Sequence, residues 1–438
     1  MTRAATRARA GGRAGVLGVM LVGLTVAFLT VAGTTPRGIG RATGGAGRVS
    51  LDQRTFSCAG GITGAVARSG NVTTGLVPDR PVAATPVRIT EDRQVASGAF
   101  AAQQAQEQAH GKGLAWVPCP EPRARWWFVG AGGAAISHDT VLTIDNPRSG
   151  PAVVDVDVLG PRGPVQAPGL HGLTLAAGAS RVLDLARTAP AVGNLAVTVT
   201  ATRGLVTVSA ADRFSPGAVG AAAREWLPPQ SLPATQLVLA GLPPKPSSAV
   251  LVLANPRHSD AIATVTAIGS TGTFSPKGLK PITIGAQSVL TVPLAGVLDG
   301  SPMAIRVASS LRITATIRSV QAGDTAFATG VQPIGGGTAF AVPTGTGQVV
   351  LSSLAVGDTV HVVAYDAHGQ SVLDRSVKVP RRSSVAVKLL SKVRYVALTT
   401  SRQDVVAGFE VLDAHGIATA GVVPAIRSIQ LPVVRPGW

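Results

Sequence analysis

Leu142-Thr143-Ile144-Asp145-Asn146-Pro147-Arg148 returns as Leu251-Val252-Leu253-Ala254-Asn255-Pro256-Arg257, an offset of 109 residues (251 minus 142). The match extends on the C-terminal side. At the same offset of 109, Gly160 and Gly163 return as Gly269 and Gly272, Leu173-Thr174-Leu175 as Ile282-Thr283-Ile284, and Leu183 with Leu185 as Val292 with Leu294. Beyond that point Ala196-Val197 aligns with Ala304-Ile305 at 108, as one residue lost from a surface loop would produce. A repeat of this length is a whole small domain, too long for a solenoid or propeller unit.

The pattern inside the repeat sets the fold class. Val154, Val156 and Val158 alternate with Asp155 and Asp157, and their counterparts Ala263, Val265 and Ala267 alternate with Thr264 and Thr266. Period-two alternation marks a strand with one buried face, and a one-residue slip would swap the faces, so the shared register argues for a shared fold. Strand-like runs in the first copy cover Trp126 to Gly130, Thr140 to Asn146, Ala152 to Gly160, Leu173 to Leu175, Arg181 to Leu185, Leu195 to Ala201 and Leu205 to Ala210. Seven short strands in about 90 residues, separated by Gly and Pro turns, predict an all-β chain of tandem immunoglobulin-like antiparallel β-sandwich domains. Asn146-Pro147 and Asn255-Pro256 end a strand, because Pro cannot donate to a ladder and Asn starts a turn.

A third, more worn copy occupies the C-terminal part. Val377-Lys378-Val379 and Val385, Val387 and Leu389 follow the second copy at an offset of 95, and Gly369 follows Gly269 at 100. The expected sandwiches therefore span residues 124–215, 233–320 and 338–432. Phe214 through Leu227-Pro228-Pro229 to Pro233 reads as a stiff linker pinned by Trp226, and Gly335-Gly336-Gly337 as a flexible one. Glu91 to Ala109, rich in Ala and Gln, reads as a helix.

Ala14 to Gly33 carries no charge and is long enough to cross a bilayer as a helix of about 20 residues. Arg3, Arg7, Arg9 and Arg13 precede it, so residues 1–13 read as a basic cytoplasmic tail, 14–33 as an uncleaved anchor and the rest as extracytoplasmic. The rival reading is a cleaved signal peptide cut at Thr34, although its apolar region would exceed the roughly 7 to 15 residues usual there. Residues 34–123 then form a membrane-proximal linker region. It holds both cysteines of the chain, Cys58 and Cys119. In an exported protein two cysteines read as one disulfide, closing a loop of about 60 residues and stabilising by roughly 4 kcal/mol; two separate thiols are the alternative.

The net charge is +17, of which residues 1–50 contribute seven Arg and no acid, leaving 32 minus 22, or +10. An exported surface of that sign attracts anionic lipid or wall polymer rather than nucleic acid. With the charges scattered and no run among them, a soluble surface of no specific partner is the competing reading.

The residues give little chemistry. Gly130-Ala131-Gly132-Gly133-Ala134-Ala135 superficially matches a dinucleotide fingerprint, but the next element is a strand, so it reads as a glycine-rich strand end. Asp155 and Asp157 share a strand face, but their counterparts Thr264 and Thr266 can neither ligate nor transfer protons in their place, so the pair reads as a solvated face. The seven histidines stand singly without metal spacing, and no G-x-S-x-G elbow occurs. No cofactor, metal site or catalytic residue is expected. Trp126-Trp127-Phe128 places Trp126 and Phe128 on one face and Trp127 on the other; either Trp126 or Trp127 is a candidate contact residue, since exposed aromatics stack on sugars and partner surfaces.

Trp126-Trp127-Phe128-Val129-Gly130, Leu142-Thr143-Ile144-Asp145-Asn146-Pro147, Gly160-Pro161-Arg162-Gly163 and Leu175-Ala176-Ala177-Gly178 together resemble an actinobacterial family of membrane-anchored extracytoplasmic proteins of unknown function. The resemblance covers most of the chain, including the N-terminal anchor and the two cysteines. It implies location and architecture but no activity, and it suggests company with cell-envelope glycosyltransferases. The expected function is that of a non-enzymatic, membrane-anchored scaffold or interaction protein of the cell envelope. The alternatives are a module that binds an anionic wall polysaccharide and an accessory subunit of an envelope glycosyltransferase.

Overall fold

The computed structural model describes residues 48–50, 54–58, 60–62, 65–71, 75–81, 87–91, 99–106, 113–134, 137–191, 193–215, 223–294, 296–425 and 428–430. The basic tail and the apolar stretch 14–33 lie outside them. Among the described residues no helix is long and apolar enough to cross a membrane. The chain is nearly all β and divides into two compact units, one of residues 1–50 with 428–438 and one of residues 51–427. In the first, β1 (Arg48–Ser50) pairs antiparallel with β33 (Ser428–Gln430), Val49 opposite Ile429.

The second unit holds an N-terminal module followed by three repeats. The module comprises β2 (Arg54–Cys58), β3 (Val66–Asn71), β4 (Gly75–Pro81), β5 (Val87–Glu91), β6 (Phe100–Gln106) and β7 (Leu114–Pro118), arranged as a layer β4-β3-β6-β7 and a pair β2-β5. The expected membrane-proximal linker is thus, over these residues, a folded β module. The Cys58–Cys119 disulfide ties β2 to the residue that follows β7, and both cysteines lie in the module's core.

The first repeat contains β8 (Arg125–Ala134), β9 (His138–Asp145), β10 (Ala152–Gly160), β11 (Gly163–Pro164), β12 (Leu173–Leu175), β13 (Ser180–Asp184), a one-turn helix α1 (Leu185–Thr188), β14 (Asn194–Arg203), β15 (Thr207–Phe214) and β16 (Ala223–Trp226). One layer runs from β11 and β12 through β10 and β14 to β8, and the other runs β13-β9-β15-β16. All seven expected strands are present. The glycine-rich run is the strand end it was read as: β8 bulges at Gly130 (φ 90°) and leaves β14 to meet β9 at Gly133. A Cβ on Gly132 would collide with the His138 carbonyl, so the crossing from one layer to the other demands glycine.

The second repeat contains β17 (Ala234–Ala240), β18 (Ser248–Asn255), β19 (Ala261–Gly269), β20 (Gly272–Phe274), β21 (Ile282–Ile284), β22 (Ser288–Pro293), β23 (Ala304–Gln321) and β24 (Asp324–Gly330). Its order matches the first repeat strand for strand, except that β23 does the work of both β14 and β15, pairing with β19 at its start and with β18 and β24 at its end. In the first repeat Gly204, at φ 78°, interrupts the same path. The third repeat contains β25 (Gly337–Ala341), β26 (Thr346–Ser353), β27 (Asp358–Tyr365), β28 (Ser371–Val379), β29 (Ser384–Leu389), β30 (Tyr395–Thr400), β31 (Val405–Leu412) and β32 (Ile417–Gly421), in layers β28-β27-β30-β25 and β29-β26-β31-β32. These are the two layers of the other repeats, with β28 replacing the pair of short strands.

The duplication reaches hydrogen-bond geometry. Asn146 Nδ2 donates to the carbonyls of Gly150, Leu175 and Ala176 at 2.8, 3.2 and 3.0 Å, and Asn255 Nδ2 donates to those of Ser259, Ile284 and Gly285 at the same three distances. Each Asn Oδ1 accepts the amide two residues on, from Arg148 at 3.1 Å and from Arg257 at 3.0 Å, the turn its side chain favours.

The repeats do not hang on linkers. Val129, Leu159 and Ala196 on the outer face of the first repeat pack against Val252, Ala254 and Val289 of the second. Their equivalents Val238, Ile268 and Ala304 face the third repeat, clustered with Val406. One interface therefore occurs twice. The proline-rich segment is built into it: Leu227 and Gln230 are buried, the Gln230 amide donates to the Trp127 carbonyl at 2.8 Å, and Gln230 Oε1 accepts from Val129. Thr400 donates to the Gly336 carbonyl, and a Cβ on Gly335 would strike Gln403, so the glycine run is no flexible tether.

Within the expected helix at residues 91–109, the described residues 100–106 form a strand buried on both faces. Ala101 and Ala105 face the module's own core while Phe100 and Ala102 face the third repeat. Ala in this strand is what two close-packed faces require, and packing overrides helix propensity.

Candidate functional site at the junction of the modules

Four strands meet at one place. β24 packs against β32, β32 against β7, β7 against β16, and β16 against β24. β16, β24 and β32 are the last strands of the three repeats and occupy the same position in each. Trp226 opposes Ala211, Phe327 opposes Arg318, and Thr419 opposes Glu410. The first two of these side chains lie in a neighbour's core, Phe327 in that of the first repeat and Trp226 in that of the N-terminal module; Trp116 of β7 lies in that of the third repeat. Thr419 instead donates to the Phe327 carbonyl at 3.2 Å. The sequence assigned Trp226 to pinning a linker against a neighbour, and it does contact a neighbouring module.

An edge strand leaves one row of N–H groups unpaired, and those groups need acceptors once buried. Carboxylates supply them here. Asp324 Oδ2 accepts the Leu114 amide at 3.0 Å and the Ile417 amide at 2.9 Å, while Oδ1 accepts from Thr325 at 2.8 Å. One side chain thereby joins the N-terminal module, the second repeat and the third. Glu225 Oε1 accepts the Trp116 amide at 2.8 Å and the Trp226 amide at 2.7 Å. Glu410 accepts from Gln348 Nε2 at 2.6 Å.

All three carboxyls are buried, and burial disfavours the charged form. It pushes Asp324 up to about 6 and Glu410 up to about 7, against the hydrogen bonds each accepts. Glu225 is raised well above the ordinary value by burial first and then by the negative charge of Asp324. Asp324 and Glu410 therefore titrate within reach of neutral pH.

A second polar cluster lies beside the first and ties the first repeat to the second. Asp212 stands directly opposite Glu225 across β15 and β16. It accepts from Thr140 at 2.5 Å and lies 3.1 Å from His138 Nε2. Arg318 Nη1 is 3.3 Å from His138 Nδ1 and 3.5 Å from Nε2 and donates to Asn194 Oδ1 at 2.6 Å, with its guanidinium 3.9 Å over the Phe214 ring. Burial lowers the Arg318 pKa, opposed by the charge of Asp212. At 7% exposed, His138 is withdrawn from solvent between the first and second repeats. Chemically, the arrangement fastens modules.

The expected contact residues lie elsewhere. Trp126 is 0% exposed and Trp127 7%. As alternation predicted, Trp126 stacks near Phe128 in the core, with its Nε1 donating to the Val206 carbonyl at 3.1 Å, and Arg123 covers its ring. Trp127 points to the opposite face, the one that at Val129 packs against the second repeat, and is itself buried. Neither can serve as a surface platform. Asp155 and Asp157 do sit on a solvated face, Asp155 accepting the Gly172 amide at 2.7 Å. His138, Asp212, Glu225, Asp324 and Arg318 carried no motif. The legible signal is an acid next to a large aromatic, Glu225 beside Trp226.

Among known proteins, the sequence profile of DUF5719, a family of unknown function, matches residues 76–390. No curated protein matches the chain.

Proposed function

The chain belongs to DUF5719, a family of unknown function, and from that premise we propose that it is a non-catalytic scaffold of the cell envelope, anchored by residues 14–33 and carrying immunoglobulin-like sandwiches outside the membrane. The observation that carries this reading is the junction of β7, β16, β24 and β32, where buried carboxylates bind edge-strand amides across module boundaries. Locking four modules together costs the chain the flexibility of a tethered array and gives a fixed set of outward faces, which is what holding partners in a set geometry requires. Proximity labelling from the exported face tests it. Reproducible labelling of a few envelope proteins, glycosyltransferases among them if the accessory-subunit version holds, is the expected result; labelling no stronger than that of an unrelated anchored domain rejects it.

A wall-polymer reading has its own support. The β20–β21 excursion of the second repeat exposes Phe274 (45%) together with Lys277 and Lys280, an aromatic and two cations on one loop. On this reading the protein sediments with purified walls and salt releases it, since exposed charge attraction is screened.

A further inference from the structure

In the first two repeats the outer edge of one layer is broken into two short strands, β11 with β12 and β20 with β21. In the third repeat it is the continuous nine-residue strand β28, Ser371–Val379, which among the described strands pairs only with β27. A long edge of this kind is a template for another strand, and proteins usually blunt it with charge. β28 carries three charges, Asp374, Arg375 and Lys378, all exposed.

Their spacing decides what they do. In an antiparallel pair, two directly opposed residues either both turn their backbone groups toward the partner or both turn them away. When a strand pairs with its own copy, opposed residue numbers must therefore share parity, and the two-fold axis passes through a residue. An axis at Arg375 would set Arg375 against itself, and one at Asp374 would set Asp374 against itself. An axis at Ser376 sets Asp374 opposite Lys378 of the other copy, twice by symmetry, with Leu373 opposite Val379. Pro380, which has no N–H to donate, ends the ladder there.

We propose that β28 is a self-association edge through which two copies of this chain join antiparallel sheets about a two-fold axis at Ser376, with reciprocal Asp374–Lys378 ion pairs fixing the register. The Asp374 side chain is 62% exposed, with His361 Nε2 of β27 at 3.4 Å on the same surface, so its carboxylate reaches a second chain without crossing a buried region. The lysine that would repel a generic strand is matched only by this strand's own aspartate. The edge therefore discriminates its own copy from other exposed strands.

The test uses the full chain in lipid vesicles. Its only two native cysteines are joined, so an introduced thiol reports alone. Opposed residues in such a pair have Cα atoms about 4.5–5.5 Å apart, within disulfide reach. Ser376→Cys is expected to form a reducible dimer under mild oxidation, whereas Arg375→Cys, opposite Val377 rather than itself, is not. In the Ser376→Cys background, Asp374→Lys places two lysine pairs face to face and should slow cross-linking at least about tenfold, and adding Lys378→Asp should restore it. All four sites are exposed, so unchanged melting temperatures verify folding. Absent cross-linking, equal cross-linking at 375 and 376, or indifference to the charge reversal each overturns the proposal.

Discussion

Asp324→Asn should make the protein less sensitive to rising pH, with an effect that changes sign between pH 4 and pH 7. The folded Asp324 carboxyl titrates at about 6 against 3.8 for the free side chain. The native state then binds more protons than the unfolded state across that window, and stability falls as pH rises through it. A shift of about two units corresponds to about 3 kcal/mol. Glu410, raised to about 7, acts in the same direction over the range above 4.5. Asp299, Asp358, Asp366 and Asp404 are lowered instead, Asp299 and Asp366 chiefly by backbone hydrogen bonds, Asp358 and Asp404 because hydrogen bonds outweigh their burial. Their stabilisation is lost only below 3.8, outside this window.

Asparagine keeps one oxygen for the Leu114 and Ile417 amides but turns an NH2 toward Thr325, losing one hydrogen bond worth about 1 kcal/mol. The variant should be about 1 kcal/mol less stable than the parent at pH 4 and about 2 kcal/mol more stable at pH 7. Urea titration followed by tryptophan fluorescence at the two pH values measures both. Equal destabilisation at both would refute the assignment of a buried, proton-holding carboxyl. Asp324→Ala strands two inter-module amides and should cost about 2–6 kcal/mol at either pH.

Because Asn146 and Asn255 make the same three side-chain donations, Asn146→Ala and Asn255→Ala should each destabilise by about 2 kcal/mol and agree within about 0.5 kcal/mol in denaturant titration. Unequal losses would mean that the two turns differ in energy despite equal geometry. Gly408→Ala puts a Cβ against the Gly241 amide nitrogen and 2.7 Å from the Ala240 carbonyl carbon, where only backbone can yield. It should cost about 1–3 kcal/mol, while Gly150→Ala, with nothing nearby, should stay within about 0.5 kcal/mol by thermal melting. Removing both Cys58 and Cys119 as serines should lower stability by about 4 kcal/mol, and reductant should reproduce the loss in the parent.

Local pattern carried the repeats a long way. Alternation at Val154, Val156 and Val158 placed β10 on its buried face, and the Asn-Pro pairs marked strand ends because their chemistry acts within a few residues. Where two modules share one strand, local pattern fails. β6 is Ala-rich because both faces are packed, β8 is glycine-rich where it changes layer, and Val129 is buried by a neighbouring repeat rather than by its own core. The sequence shows each of these as composition and none as location.

By itself, then, the sequence determined the β class, the register of two copies and the trace of a third, and it favoured one disulfide over two separate thiols for its two cysteines. Each follows from periodicity or from the cysteine count read within one module. Only the tertiary structure decided that Leu227 and Gln230 of the proline connector are packed between repeats and that the glycine connector is hydrogen-bonded to Thr400, that residues 54–118 contain a fourth module, and that Glu225, Asp324 and Asp212 meet. Glu225 and Asp324 stand 99 positions apart (324 minus 225), and what joins them to β7 and β32 is a set of edge-strand amides that exist as partners only after every module has folded and docked.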